Sequence, residues 1–112
     1  MNQIYILSES AGVGNRLHEI IYQAGYADTF VPNLEAFPEL RQNGILIIYA
    51  KSHISDMIQN AVNTNYRVIL LLNPDFYALY LDRARHAGIK LLLMPVAPYV
   101  LLDAIKELTV IS

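Results

Sequence analysis

The residues that could do chemistry in this chain stand where predicted strands end, and almost all of them are uncharged. They are Ser8, Glu9, Tyr49, Ala50, Leu72, Asn73 and Met94. In a parallel α/β sheet, ligands bind in the crevice at the carboxyl ends of the strands, so these side chains would line it. Mg²⁺ is commonly held by one or two carboxylates, and Glu9 alone makes a poor site. A phenol, a thioether and an amide form no acid/base pair, so we predict no catalytic residue, metal or cofactor here.

Glu9 itself has several possible roles. Its carboxylate could accept hydrogen bonds from backbone N–H groups or from Tyr49, or it could face water. A structural role is favoured. Asp56 follows the third strand and could reach the same crevice, yet an acidic residue in the first turn of a helix is also favoured by the unpaired N–H groups there.

Two further patterns could bind a ligand but favour plainer interpretations. The stretch "GVGNRL" (12–17) opens a helix after a strand, as a dinucleotide-binding turn does, but Leu17 stands where its third glycine belongs and no acidic residue closes the second strand. A simple loop-to-helix turn is favoured. The three histidines, His18, His53 and His86, show no metal-ligand spacing and are predicted to be surface or partly buried residues.

The composition excludes several classes of protein. The 112 residues predict one domain spanning 1–112, and the chain has no cysteine for a disulfide, a thiolate metal site or a nucleophile. No signal-peptide pattern is present, which predicts a cytoplasmic protein. The longest apolar runs are far shorter than the ~20 residues that span a bilayer. Eight scattered basic residues against ten acidic ones indicate no nucleic-acid binding by this domain.

Strand and helix patterns alternate five times along the chain. Apolar runs predict strands at 4–7, 27–31, 44–49, 67–73 and 89–94. One-faced helical patterns follow each run. The first helix closes at Gly25, and its apolar face carries Val13, Leu17, Ile20, Ile21 and Ala24. A weaker helix runs from 33 to 41, and a third, capped by Ser52 or Ser55, carries Ile54, Met57, Ile58, Ala61 and Val62. The last two helices cover 74–87, which Gly88 closes, and 98–108.

Central strands that are apolar throughout indicate a parallel sheet covered on both sides, because crossover helices bury both faces. The predicted fold class is therefore α/β: a flavodoxin-like, doubly wound, five-stranded parallel sheet of order 2-1-3-4-5, with helices on both faces.

These features together resemble the receiver domain of two-component response regulators, the CheY-like family. The resemblance covers essentially the whole chain: five βα units in about 110 residues, an acidic residue closing strand one, "AGY" ending helix one, and a residue-Pro pair after strand five. Its most specific part is "RARHAGIKLLLMPVAPYVLLDAI", which is similar to the family's alanine-glycine turn, strand, Lys-Pro pair and final helix. It also implies a cis bond between Met94 and Pro95.

The family's phosphorylation machinery is mostly missing at the matching positions. The acidic pair falls on Ser8 and Glu9, and the phosphate-accepting aspartate falls on Tyr49, or on Ala50 with a slip of one residue. The switch Ser/Thr falls on Leu72 or Asn73, and the lysine falls on Met94. The chain therefore resembles a degenerate pseudo-receiver, a branch whose members work as interaction or ligand-sensing modules.

The helix at 74–87 is more apolar than a core alone requires. With Tyr77, Leu81 and Ala84 toward the sheet, the residues predicted to face away are Phe76, Leu79, Arg83 and His86. The resemblance implies pairing through this helix, the fifth strand and the fifth helix. We therefore predict an interface with Phe76, Leu79, Arg83 and Lys90, and a homodimer as the simplest partner. The alternative is that Phe76 and Leu79 tuck under neighbouring loops.

The leading hypothesis is thus a non-enzymatic pseudo-receiver, free-standing or part of a longer protein, that signals by binding a protein partner or itself. A second hypothesis is a small-ligand sensor whose pocket is lined by Tyr49, Leu72, Asn73 and Met94. A remote third is a catalytic flavodoxin-like enzyme.

Overall fold

The computed structural model describes residues 3–32, 44–64 and 66–110. In chain order, their strands and helices are β1 Ile4–Ser8, α1 Ala11–Gln23, β2 Thr29–Phe30, β3 Ile45–Tyr49, α2 Ile54–Val62, β4 Arg67–Leu72, α3 Pro74–His86, β5 Lys90–Leu93 and α4 Pro98–Val110. The weaker helix predicted over 33–41 lies outside the described residues.

The five strands form one parallel sheet in the order β2-β1-β3-β4-β5, which confirms the predicted topology and fold class. In register, Ser8 pairs with Tyr49 and Tyr49 pairs with Leu71. Because all strands run the same way, the ends of β1, β3 and β4 meet at one edge of the sheet. That edge is where the candidate site is built.

The sheet separates two cores, because successive side chains of a strand point to opposite faces. Leu46, Ile48 and Leu70 pack on one face with residues of α2 and α3, which we call the α3 face. Ile45, Ile47 and Ile69 pack on the other face with residues of α1 and α4, which we call the α4 face. All five residues of β3 are buried, as the uninterrupted apolar run predicts.

The predicted helix ends are correct where glycine terminates a helix. Gly25 and Gly88 have φ angles of 91° and 75°, a left-handed conformation that glycine adopts without a Cβ penalty. The predicted start of α2 is wrong. Neither Ser52 nor Ser55 caps it; His53, with φ of 51°, precedes Ile54 and makes no side-chain capping bond.

Ala24 and Val62 were predicted to lie on the apolar faces of their helices, but both are exposed. Ala24 follows the last residue of α1, and Val62 is the last residue of α2. Both side chains stand at the C-terminal end of their helix and are exposed.

The predicted orientation of α3 is wrong for Phe76. Its ring is partly buried and packs against the α3-face core together with Tyr77, Tyr80 and Leu81. Phe76 and Tyr80 are one helical turn apart and their ring centroids lie 6.5 Å apart. The buried face of α3 therefore extends beyond the residues that face the sheet. Leu79 does face away, with 71% of its surface exposed.

The Met94–Pro95 peptide bond is cis, as the family resemblance implies. No helix in the described part of the chain is both long enough and apolar enough to cross a lipid bilayer.

Gly44, directly before β3, lies against the ring of Tyr66. A Cβ on residue 44 would stand 2.0 and 2.2 Å from two atoms of that ring. Tyr66 is buried and contacts Tyr5 edge-on at 5.5 Å, so its ring has little room to move. The start of β3 therefore requires glycine for close packing.

We expect Gly44→Ala to lower the free energy of unfolding by about 1–3 kcal/mol, as overpacking does in other cores. Urea unfolding followed by circular dichroism measures it. Gly12→Ala is the matched control, because the nearest atom to its Cβ is Ser10 Oγ at 3.9 Å and alanine favours helix. Equal stability of wild type and Gly44→Ala would contradict this packing.

Candidate functional site

Glu9 connects the end of β1 to the loop that follows β3. Its carboxylate accepts hydrogen bonds from the backbone N–H groups of Lys51 and Ser52, the latter at 3.0 Å, and from the Ser52 hydroxyl at 3.4 Å. Its own N–H donates to the carbonyl of Tyr49 at 3.0 Å. Of the alternatives open from the sequence, acceptance from backbone N–H groups is the one observed. The carboxylate therefore holds the β3–α2 loop against β1.

Tyr49 and Asn73 close the crevice between the ends of β3 and β4. The Tyr49 hydroxyl donates to Asn73 Oδ1 at 3.3 Å, and Asn73 Nδ2 lies 3.0 Å from the same hydroxyl oxygen. Tyr49 is only 5% exposed. Asn73 stands at the N-cap of α3 but makes no side-chain capping bond there. Its amide is therefore directed to the phenol rather than to the helix.

The other crevice positions are also occupied by internal contacts. The Ser8 hydroxyl donates to the carbonyl of Ser10 at 2.6 Å and lies 3.1 Å from the Ser10 N–H. Leu72 is fully buried in the α3-face core. Met94 packs, partly buried, against the α4-face core. A ligand pocket lined by Tyr49, Leu72, Asn73 and Met94 stays a prediction.

The remaining ionisable groups make local contacts. Within 3–32, 44–64 and 66–110, no three His, Cys, Asp or Glu side chains are grouped to hold a metal ion. Asp56 is exposed in the first turn of α2. His53 Nδ1 lies 3.3 Å from Ser52 Oγ, and His86 Nδ1 lies 2.7 Å from the carbonyl of Asp82.

The pair of His18 and Asp28 is absent from the sequence-based predictions. His18 Nδ1 lies 2.7 and 3.0 Å from the two carboxylate oxygens of Asp28, whose side chain is 2% exposed. The His18 ring stacks on Tyr22. The pair joins α1 to the segment before β2, and no sequence spacing signals a contact across ten residues of helix and turn.

A small cavity of about 220 Å³ lies beside Ser8, between the start of α1 and β2. It is lined by Ser8, Ser10, Ala11, Gly14, Asn15, Phe30 and Val31. Gly14 is buried, and a Cβ there would stand 3.2 and 3.3 Å from Ser8 and Phe30. The second glycine of "GVGNRL" therefore serves close packing of α1. The stretch lies wholly within α1, which begins at Ala11, so the predicted loop-to-helix turn comes before it and not within it.

Three of the four residues of the predicted interface are partly buried or make contacts within the chain. Phe76 is partly buried, and the Arg83 guanidinium donates to the hydroxyl of Ser55 and, at 3.3 Å, to its carbonyl. Lys90 forms an ion pair with Glu107 at 3.1 Å. Leu79 remains exposed, and Leu93 and Tyr99 are exposed on β5 and α4. An interface among these elements therefore stays a prediction.

Known proteins resemble this chain in structure but not in sequence. No protein-family model and no curated protein matches it. An adenylate cyclase structure from Rhodopirellula baltica superposes with a TM-score of 0.77 at 12% identity, covering 97% of this chain and 88% of that one. ShkA Rec1 in complex with c-di-GMP gives 0.68 at 19% identity, covering 93% and 90%. The signal receiver domain of a histidine kinase from Syntrophus aciditrophicus gives 0.67 at 19%, covering 98% and 91%.

At these identities the likeness shows the fold alone. Two of the three structures are receiver domains. The chain therefore has the CheY-like receiver fold that the sequence resemblance implied.

We expect Tyr49→Phe to lower the free energy of unfolding by about 1 kcal/mol, because it leaves the Asn73 amide without its phenol partner. Thermal and urea unfolding of Tyr49→Phe, Asn73→Ala and the double variant measure the coupling between the two residues. Tyr99→Phe is the control, since that phenol is exposed. Strict additivity of the two single changes would contradict a hydrogen bond between Tyr49 and Asn73.

Proposed function

We propose that this chain is a cytoplasmic pseudo-receiver: a non-enzymatic regulatory module of signal transduction that works without phosphorylation. The hydrogen-bonded pair of Tyr49 and Asn73 carries the proposal. It occupies the place, at the ends of β3 and β4, where a phosphoryl acceptor would have to be exposed to a donor and to Mg²⁺. A phenol that is nearly buried and bonded to an amide is not a carboxylate and forms no acyl phosphate.

The neighbouring groups support the same function. The Glu9 carboxylate already accepts hydrogen bonds from the β3–α2 loop, so binding a cation with it would compete with those bonds. Met94 offers a thioether, which cannot pair with an anion as a lysine ammonium does. The crevice does not favour the activity of an adenylate cyclase, because its one carboxylate, Glu9, is hydrogen-bonded to the β3–α2 loop.

A module without phosphoryl chemistry acts through what it binds, and we propose a protein partner, most simply a second copy. The surface proposed for this contact comprises α3, β5 and α4, including Phe76, Leu79, Arg83 and Lys90. The exposed apolar side chains of Leu79, Leu93 and Tyr99 support it. The Lys90–Glu107 ion pair would lie in its charged rim, as in many protein interfaces.

Ligand sensing is the second candidate, and two observations favour it. ShkA Rec1, which shares the fold, is solved in complex with c-di-GMP, and this chain has a cavity of about 220 Å³ beside Ser8. In this candidate function, the cavity beside Ser8 would hold the small ligand. A thermal-shift comparison of wild type with Gly14→Leu, which would fill the cavity, over nucleotides that include c-di-GMP, separates this candidate from a purely protein-binding module.

We expect no phosphoryl transfer to the chain from acetyl phosphate and Mg²⁺, because no carboxylate stands free at the end of β3. Intact-mass spectrometry after incubation measures it, and a receiver domain with a phosphorylatable aspartate serves as the positive control. A stoichiometric gain of one phosphate on a carboxylate would refute the proposed function.

A further inference from the structure

The outer edge of β5 is open, and a groove lies beside it. Among the described strands, β5 pairs only with β4 and ends the sheet. The groove, of about 390 Å³, runs between β5 and α3 and is lined by Tyr77, Leu81, Arg85, Ile89, Lys90 and Leu91. An edge strand presents unpaired N–H and C=O groups to which another strand can bond.

The register of β5 decides which backbone groups point outward. Met94 donates its N–H to the carbonyl of Leu72 at 2.9 Å, so residue 94 turns toward β4. In a parallel ladder, alternate residues direct both backbone groups to the same neighbour. Leu92, which pairs with Leu71, therefore also turns toward β4. The N–H and C=O groups of Leu91 and Leu93 point to the open edge.

The side chains of β5 make this edge apolar on one face. Leu91 is buried in the α3-face core and Leu92 in the α4-face core. By alternation, Leu93 lies on the same face as Leu91, yet it is 47% exposed. The only charged residue in the strand is Lys90, at its start, and its ammonium group is paired with Glu107. The C-terminal half of β5 therefore has backbone groups that face the open edge and an exposed leucine, Leu93.

We propose that two copies of this chain associate by antiparallel pairing of their β5 strands, which joins the two sheets into one. The inference rests on the self-association proposed above and specifies its geometry. A twofold axis through such a pair brings equivalent faces together. Leu91 and Leu93 of both copies would then cluster on the α3 face, beside the groove, where the exposed surface of Leu93 becomes buried.

The charges on α3 fit a second copy better than an unrelated strand. Arg85 lines the groove near the end of α3, and Asp75 lies in its first turn. Neither side chain forms a hydrogen bond or an ion pair with the described residues. A twofold axis reverses the direction of the second helix, so the Arg85 end of one α3 comes to the Asp75 end of the other. Arg85 of each copy would then lie near Asp75 of the other, so each side chain would gain a partner of opposite charge.

The test combines sedimentation equilibrium with amide exchange followed by nuclear magnetic resonance, at concentrations below and above association. The N–H groups of Leu91 and Leu93 should gain about tenfold or more protection on association, because they become hydrogen-bonded. Those of Leu92 and Met94, bonded to β4, serve as internal controls. Association without protection of Leu91 and Leu93 overturns strand pairing but leaves self-association standing. A monomer at every concentration overturns both.

Substitutions test the same contact between the two β5 strands. Leu93→Asp should weaken association about tenfold or more, because a carboxylate would be buried there, whereas Leu93→Val should retain it. Val62→Asp, at a residue with similar exposure of 46% on α2, is the matched control and should associate as wild type does. Circular dichroism checks that each variant folds. Association that survives Leu93→Asp but is lost with Leu79→Asp overturns the pairing and assigns the contact to the outer face of α3.

Discussion

Burial of β3 and β4 on both faces is the constraint on which the rest of this structure depends. Every residue of β3 is buried, and five of the six residues of β4 are. A parallel strand of this kind is stable only if helices cover both sides of the sheet, and the described helices α1 and α4 lie on one face and α2 and α3 on the other. The order of the strands, the two cores and the single edge at which the strands end all follow from satisfying these two central strands.

The same constraint shapes the crevice. Side chains that end β3 and β4 stand between two apolar cores, and polar groups placed there need partners within the protein. Tyr49 and Asn73 satisfy each other, and Glu9 satisfies the N–H groups of the loop after β3. A crevice whose polar groups bond to one another in this way offers few free polar groups. In this fold, a binding surface is therefore to be sought on the outside of the domain rather than in the crevice.

The two ends of the sheet differ in how they are protected. β2 has two residues, both exposed, beside the aromatic contacts of His18 with Tyr22 and Phe30. β5 is longer and carries three leucines in succession, with a cis peptide bond directly after it. Natural sheets usually protect such an edge with charges, and here the lysine at the start of the strand is the only one within it. The edge at β5 therefore has less protection by charge than its length and apolar side chains usually require.

Secondary structure, strand order and the residue types at the strand ends could be predicted from the sequence, because each depends on local patterns. Apolar runs of strand length, glycines after helices, and the residue types at strand ends are readable one segment at a time. The Glu9 contact with the backbone was among the predicted alternatives for the same reason: a lone carboxylate at a strand end faces few groups except the N–H groups of the next loop.

Only the tertiary structure decided which side chains meet. The inward turn of Phe76, the engagement of Arg83 by Ser55 and the pairing of His18 with Asp28 depend on the distance and angle between elements, which a helical pattern does not contain. The same holds for Gly14 and Gly44, whose need for glycine comes from a neighbouring element rather than from a turn. The sequence by itself determined the elements and their order, because hydrophobic periodicity is local. Packing determined the contacts, because close-packed cores place each side chain according to all of its neighbours.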